Sequence, residues 1–175
     1  MNKLFFTADQ HFNHHKIIEY ANRPFENIKE MDRILIKNHN SVVGKNDTTI
    51  HIGDFAFLKS FKEVKLFYLS KMNGNHKFVR GNHDYWADKT IPTILDVKVD
   101  KRKIVCCHYS MNVWNRSIYN EFHLFGHSHG TLTGIGKSFD VGVDCNNFTP
   151  VSYDQVVEKM KTLPNNKGYK ENYES

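Results

Sequence analysis

Four consecutive residues, Gly81-Asn82-His83-Asp84, place an amide, an imidazole and a carboxylate directly after the strand-like run Lys77-Phe78-Val79-Arg80. Asn82 offers a neutral carbonyl oxygen suited to a hard or borderline cation. His83 can take up or release a proton near neutral pH. Asp84 can hold the other ring nitrogen of a histidine and fix its tautomer. Gly81 lets the backbone bend sharply and approach a ligand closely. Comparable groups recur along the chain. Asp9 and His11 follow Leu4-Phe5-Phe6-Thr7-Ala8, and Asp54 follows Gly53. His108 ends Lys103-Ile104-Val105-Cys106-Cys107, and His127 and His129 lie between Gly126 and Gly130. In an extended segment, residues two apart point to one side. Asp9 and His11 are therefore expected to face the same way, and so are His127 and His129.

This donor set mixes carboxylate, amide and imidazole and needs no thiolate. It suits manganese, iron or zinc better than magnesium or calcium. There are too many donors for one tetrahedral ion, so two divalent metals are the economical reading. Two ions about 3.5–4 Å apart can clamp an in-line displacement at phosphorus. A carboxylate with a free edge can sit between them, and Asp54 is the natural choice.

The elements that must position these residues follow from periodicity. Leu4 to Ala8 reads as a buried strand, and Thr48-Thr49-Ile50-His51-Ile52 as a second, with His51 packed inside it. Lys77 to Arg80 is the third. Ile94 to Val99 and Lys103 to Cys107 form an antiparallel hairpin around Asp100-Lys101-Arg102. Glu121 to Phe125 and Ser138 to Val143 complete the strands. Asn13 is expected to cap a short helix through Ile17, Ile18 and Tyr20. A second helix, from about Ile28 to Asn38, carries Ile28, Met31, Ile34 and Leu35 on one face. Ser60-Phe61-Lys62-Glu63 and Ser152-Tyr153-Asp154-Gln155 are capping boxes that open two further helices. Asn73-Gly74 and Pro164 stop them. His14, in the first turn after Asn13, is expected to support a ligand or touch substrate. Tyr85 and Trp86 are open to two readings, base stacking or core packing. Trp114 and Arg116 are placed near the mouth, where Arg116 can clamp a phosphate by its planar fork.

Bulk properties narrow the class. The expected organisation is one domain over 1–163 and a polar tail over 164–175. No apolar run is long enough to span a bilayer. Residues 1–9 resemble a signal peptide only superficially, because acidic and histidine residues follow at once. The expectation is a cytoplasmic protein without a membrane partner, whose oligomeric state the sequence leaves open. Three cysteines make no disulfide framework, and Cys145 is expected to be a buried thiol. The net charge of +5 fits an anionic substrate.

The series Asp9-x-His11, Gly53-Asp54, Gly81-Asn82-His83-Asp84, His108 and Gly126-His127-x-His129 resembles the calcineurin-like metallophosphoesterases, in the family's order. The segments around Phe12-Asn13-His14 and Val141-Gly142-Val143-Asp144 look most like small, compact bacterial and phage members. Gln10 stands where a small residue is usual, and Cys107 precedes His108 where glycine is usual. The resemblance implies an α/β fold, a four-layer α-β-β-α sandwich of two packed mixed sheets flanked by helices. It implies a first metal held by Asp9, His11, Asp54 and His129, and a second held by Asp54, Asn82, His108 and His127. His83 stays free of metal to protonate the leaving oxygen, and Asp84 orients it. Manganese is the first expectation for both ions, with iron, zinc or nickel as alternatives. The implied activity is hydrolysis of phosphate esters by a metal-activated hydroxide. The favoured substrates are phosphodiesters of nucleotides or nucleic acid, ahead of monoesters and nucleotide pyrophosphates. A non-catalytic interaction scaffold on the same fold is the alternative from another class. A structural zinc site fails on ligand type and number.

Overall fold

The computed structural model describes residues 2–169, so the last part of the expected tail, 170–175, lies outside the described residues. The strands are β1 (Leu4–Thr7), β2 (Thr48–Ile52), β3 (Asn75–Val79), β4 (Ile94–Val99), β5 (Arg102–Cys107), β6 (Phe122–Phe125), β7 (Ser138–Asp140) and β8 (Val151–Ser152). They form two mixed four-stranded sheets, ordered β3-β2-β1-β8 and β4-β5-β6-β7. In the first, β1, β2 and β3 run parallel and β8 pairs antiparallel with β1. In the second, β5, β6 and β7 run parallel and β4 returns antiparallel beside β5. Parallel pairing brings the carboxyl ends of β1, β2 and β3 to one edge, and those of β5, β6 and β7 to another. A parallel bridge from Ala8 to Gly142 ties these two edges together just past β1 and β7.

Strand alternation sorts side chains between two cores. Ile50 and Ile52 join Phe6 and Val79 against Ile104, Cys106, Phe122 and Leu124 from the other sheet. The intervening His51 points the other way and stacks on Phe78, on the helix side. Phe6 is fully buried between the sheets, and its truncation to alanine would cost about 3–5 kcal/mol.

Three helices cover the first sheet: α1 (Ile17–Tyr20), α2 (Ile28–Val42) and α3 (Phe61–Phe67). Along α2 the buried residues Ile28, Met31, Leu35 and His39 recur every three or four positions. The continuation of that stripe to His39 carries the helix past the expected end at Asn38. The helix α4 (Tyr153–Thr162) opens on a full capping box between Ser152 and Gln155 and sends Val156 and Met160 into the inter-sheet core. The outer face of β5 and β6 is covered by the 109–121 segment, where Trp114 lies 5.3 Å from the His123 ring.

Several local expectations are corrected. Asn13 does not cap α1; it has φ 62°, and its N–H points to Asp32 Oδ1 at 3.4 Å. Ser60 accepts from the Glu63 N–H, but the Glu63 carboxylate receives the Lys59 N–H at 3.1 Å, so that box is half formed. The α3 helix ends at Phe67 and continues as a 3-10 turn over Leu69–Lys71, before Asn73-Gly74. Strand β8 was not anticipated, because two residues are too short to show alternation. Cys145 is exposed rather than buried. No helix among the described residues is long and apolar enough to cross a membrane.

Candidate metal centre

The seven expected metal donors all lie in loops just past strand ends. Five of them sit in the left-handed backbone region: Asp9 (φ 59°), His11 (53°), Asp54 (54°), His127 (68°) and His129 (46°). Each such residue costs on the order of 1 kcal/mol or more, so tertiary contacts must hold it there. The contacts are backbone hydrogen bonds between loops. The Asp9 N–H donates to Gly53 O at 3.1 Å, His11 N–H to Asp54 O at 2.9 Å, and Gly126 N–H to His108 O at 3.1 Å. These conformations also correct the reasoning from spacing. Strand β1 ends at Thr7, so Asp9 and His11 are brought together by a twisted loop and not by extended alternation. His127 and His129 diverge instead of sharing a side.

Two compact groups result, Asp9 with His11 and His129, and Asp54 with His108 and His127. Asp54 links them. Its Oδ2 lies 3.5 Å from His11 Nε2 and 3.3 Å from His108 Nε2. Its Oδ1 accepts the His83 N–H at 2.9 Å. Asn82 Oδ1 is 3.2 Å from His108 Nε2, beside the second group. A side chain at position 81 would collide with the Asp54 carboxylate, so glycine is required there.

Surrounding groups fix each ligand's orientation. His108 Nδ1 donates to Ile52 O at 3.0 Å, which leaves Nε2 facing Asp54. The Asp9 carboxylate accepts the His127 N–H at 2.9 and 3.1 Å. His129 Nδ1 meets Asp144 Oδ2 at 2.7 Å, and Asp144 is gripped by Arg23. The sequence assigned no role to Arg23 or Asp144; the only signal was Asp144 following a strand, as Asp9 and Asp54 do.

Burial pushes the Asp9 carboxyl up to about 7. Burial would also raise Asp54, but the hydrogen bond and charge of His108, together with His11 and the His83 N–H, outweigh it and hold Asp54 at about 2. Burial alone would lower His108; Asp54 and Asp9 reverse that and raise it to about 9. Burial lowers His11 to about 2. Its Nε2 is buried without a hydrogen-bond partner, and such an orphan costs about 1–3 kcal/mol. A cation between His11 and Asp54 would satisfy it. Two carboxylates, four imidazoles and one amide therefore fit a pair of divalent ions.

His83 stands beside the groups, its ring 5.5 Å from His11 and 5.6 Å from His14, with Nδ1 buried and without a hydrogen-bond partner. Asp84 does not touch the His83 ring. Its oxygens accept the N–H groups of Asp54 (2.8 Å), Phe55 (2.8 Å) and Gly81 (2.9 Å) and the Trp86 indole (2.9 Å). It therefore clamps the Gly53-Asp54 loop to the Gly81 turn. His14 lies at the mouth, with Nδ1 3.1 Å from His11 Nδ1 and its ring stacked on Phe57. Arg116 lies elsewhere. It covers the Tyr119 ring and sits 3.9 Å from Glu121, before β6, whereas His127 follows β6. Trp86 and Trp114 are buried and do not line the mouth. The exposed rings there are Phe57, Tyr85 and Tyr109.

The uncharacterized protein MJ1445 of Methanocaldococcus jannaschii is 32% identical to this chain over 173 residues, covering 92% of this chain and 93% of that protein. The chain belongs to the same family. A protein of unknown function from Aquifex aeolicus, AQ665, shares this fold with a TM-score of 0.70 at 22% identity, covering 91% of this chain and 100% of that one. A conserved uncharacterized protein of Streptococcus pneumoniae TIGR4, described as a predicted phosphoesterase, matches with a TM-score of 0.44 at 17% identity, over 81% of this chain and 71% of that one. No family model matches the chain. The fold carries two neighbouring His/Asp groups able to hold metal.

Proposed function

We propose that this chain is a two-metal-dependent hydrolase of phosphate esters, acting on phosphodiesters of nucleotides or nucleic acid. The observation that carries the reading is the position of Asp54 Oδ2, within 3.5 Å of a histidine from each group. One carboxylate so placed would serve two cations. Asp9, His11, Asp54 and His129 would hold the first, and Asp54, Asn82, His108 and His127 the second, with manganese the best match to the donor set. Bound there, the ions would supply an activated water and neutralise charge growing at phosphorus.

The rest of the work falls to the chain. Arg23 and Asp144 hold His129, the Ile52 carbonyl holds His108, and Asp84 holds the loop bearing Asp54. His83 is kept out of the donor groups by its backbone bond to Asp54, which leaves Nδ1 available to carry the proton for the leaving oxygen. General acid help of this kind contributes about 10²–10⁴-fold. His14 lines the mouth and would meet the phosphoryl group. The exposed rings of Phe57, Tyr85 and Tyr109 favour a substrate with a flat aromatic moiety.

The test is turnover of bis(p-nitrophenyl) phosphate by protein whose manganese content has been measured. Release of nitrophenolate that needs manganese and stops with chelator is expected. A chain that binds two manganese ions yet hydrolyses neither this diester nor the corresponding monoester would be a scaffold, and the proposal would fall.

A further inference from the structure

We infer that the cleft between Tyr85 and Tyr109 seats the neighbouring nucleotide of a single-stranded nucleic acid whose scissile phosphodiester lies beside Asn82 and His83. The inference rests on the reading above and names the substrate class of that site. The cleft holds about 390 Å³ and has Asn82 in its wall. Tyr109 stands edge-on to the rings of His127 and His108 at 4.8 and 5.2 Å, and its hydroxyl is 3.5 Å from Asn82 Oδ1. Tyr85 stands edge-on to Phe57 at 5.6 Å and lies 6.3 Å from His83. Both tyrosines therefore lean on the metal centre while keeping 65% and 47% of their surface in solvent. Flat, rigid, exposed rings flanking a reactive centre suit a nucleobase, because every base offers a π-face.

A second cleft, of about 360 Å³, shares Arg80 and Thr93 with the first and adds Lys89. Among the described residues, neither the Arg80 nor the Lys89 side chain is in an ion pair or hydrogen bond. Of the acids near them in the chain, Asp88 is folded back onto the Thr90 N–H at 2.7 Å, and the buried Asp84 is taken by the N–H groups of Asp54, Phe55 and Gly81. Moving away from Asn82, the surface thus offers aromatic rings, then Arg80 at the junction of the two clefts and Lys89 beyond it. That order matches a base followed by the next phosphate. A mononucleotide ester would fill the first cleft and leave Lys89 without an anion. A singly phosphorylated peptide, even one bearing phosphotyrosine, offers a monoester and no second phosphate for these cations. A duplex keeps its bases stacked inside, so the strand must be single.

The experiment is fluorescence anisotropy of labelled hexathymidylate and dithymidylate on the manganese-loaded chain, with bis(p-nitrophenyl) phosphate turnover followed in parallel. Hexathymidylate is expected to bind at least ten-fold tighter than dithymidylate. Tyr85→Ala should weaken hexamer binding roughly ten-fold, while Tyr85→Phe, which keeps the ring, should restore it. The Arg80→Ala, Lys89→Ala double variant should flatten the salt dependence by about 0.7 in log–log slope for each cation lost. Equal affinity for the two lengths, or a hexamer affinity and salt slope indifferent to all of these changes, overturns the inference even if the small diester is hydrolysed. Hexamer binding that follows the pattern without any turnover of the small diester upholds the groove and removes only the hydrolase reading.

Discussion

Arg23 grips Asp144 across 121 residues of chain, Nε to Oδ1 at 2.8 Å and Nη2 to Oδ2 at 2.8 Å. The same guanidinium donates to the carbonyl oxygens of Asp9 at 2.6 Å and Gln10 at 3.0 Å. Asp144 in turn receives His129 Nδ1, so one arginine sets the backbone of Asp9 and, through a carboxylate, the imidazole of His129. Both belong to the same donor group. Asp144→Asn and Arg23→Lys are expected to weaken manganese binding at that group by about 10–100-fold, the usual effect of losing a ligand's supporting partner. The Asp54–His108–His127 group should keep its affinity. Calorimetric titration reads the two sites separately, and equal weakening of both would show a general collapse instead of selective support.

His83 meets the centre through its backbone N–H to Asp54 Oδ1 and a ring contact with His11, and its Nδ1 has no hydrogen-bond partner. His83→Ala should therefore leave both ions bound and lower turnover by roughly 10²–10⁴-fold with a poor leaving group. The loss should shrink with p-nitrophenolate, which needs little protonation. Asp54→Ala should behave differently and lose metal and activity together. Metal analysis of the two variants separates the roles; two ions still bound in Asp54→Ala would reject the bridge.

Much of this site was legible because metal donors are chemically conspicuous and each followed an apolar run. The strands were legible as apolar runs: Ile50 and Ile52, like Ile104 and Cys106, face the inter-sheet core, while the intervening His51 faces the helices. What failed was local geometry. The left-handed backbone at Asp9, His11 and His127 is held by hydrogen bonds to distant loops, and no two-residue period encodes it or the same conformation at His129. Asp84 beside His83 suggested contact between neighbours, but its carboxylate is used by the backbone of residues 54 and 55. Arg23 carries no signal of its own in the sequence, because its partner lies 121 positions away. Trp114 is buried and not near the mouth, and Trp86 follows its core-packing reading, since each indole N–H finds an interior acceptor.

Metal binding should release protons. Without metal, burial holds Asp9 at about 7, and Asp54 with Asp9 holds His108 at about 9. Each must lose its proton to become a ligand, so protons compete with the cation. Affinity for manganese should then rise with pH through 7 and continue to rise toward 9. Calorimetry in buffers of different ionisation enthalpy counts the protons released. No proton release at pH 6.5 would mean that neither group is a ligand.

A different set of histidines should make the fold itself sensitive to acid. His51 is fully buried on β2, with Nδ1 3.0 Å from Gln10 Nε2 and Nε2 3.0 Å from His76 Nδ1. With the Gln10 amide donating, neutral His51 carries its hydrogen on Nε2 and passes it toward His76. A proton on either ring would break this relay. Burial accordingly drives His51 well below the usual range and His76 to about 4, and lowers His39, whose ring stacks on His51. In the unfolded chain these groups protonate near 6.5. Between about 6.5 and 4 the unfolded state thus binds more protons than the folded one, and stability falls as pH falls through that window. Above about 6.5 the stabilisation is fully present. Each histidine contributes up to about 1.4 kcal/mol per pH unit. Urea unfolding of the wild type and His51→Gln at pH 7 and pH 5 isolates the term, because all other titrating groups are common to both chains. The variant should be less stable at pH 7 and should lose less stability on going to pH 5. Parallel losses in the two chains would show that His51 titrates alike in the folded and unfolded states, against its burial.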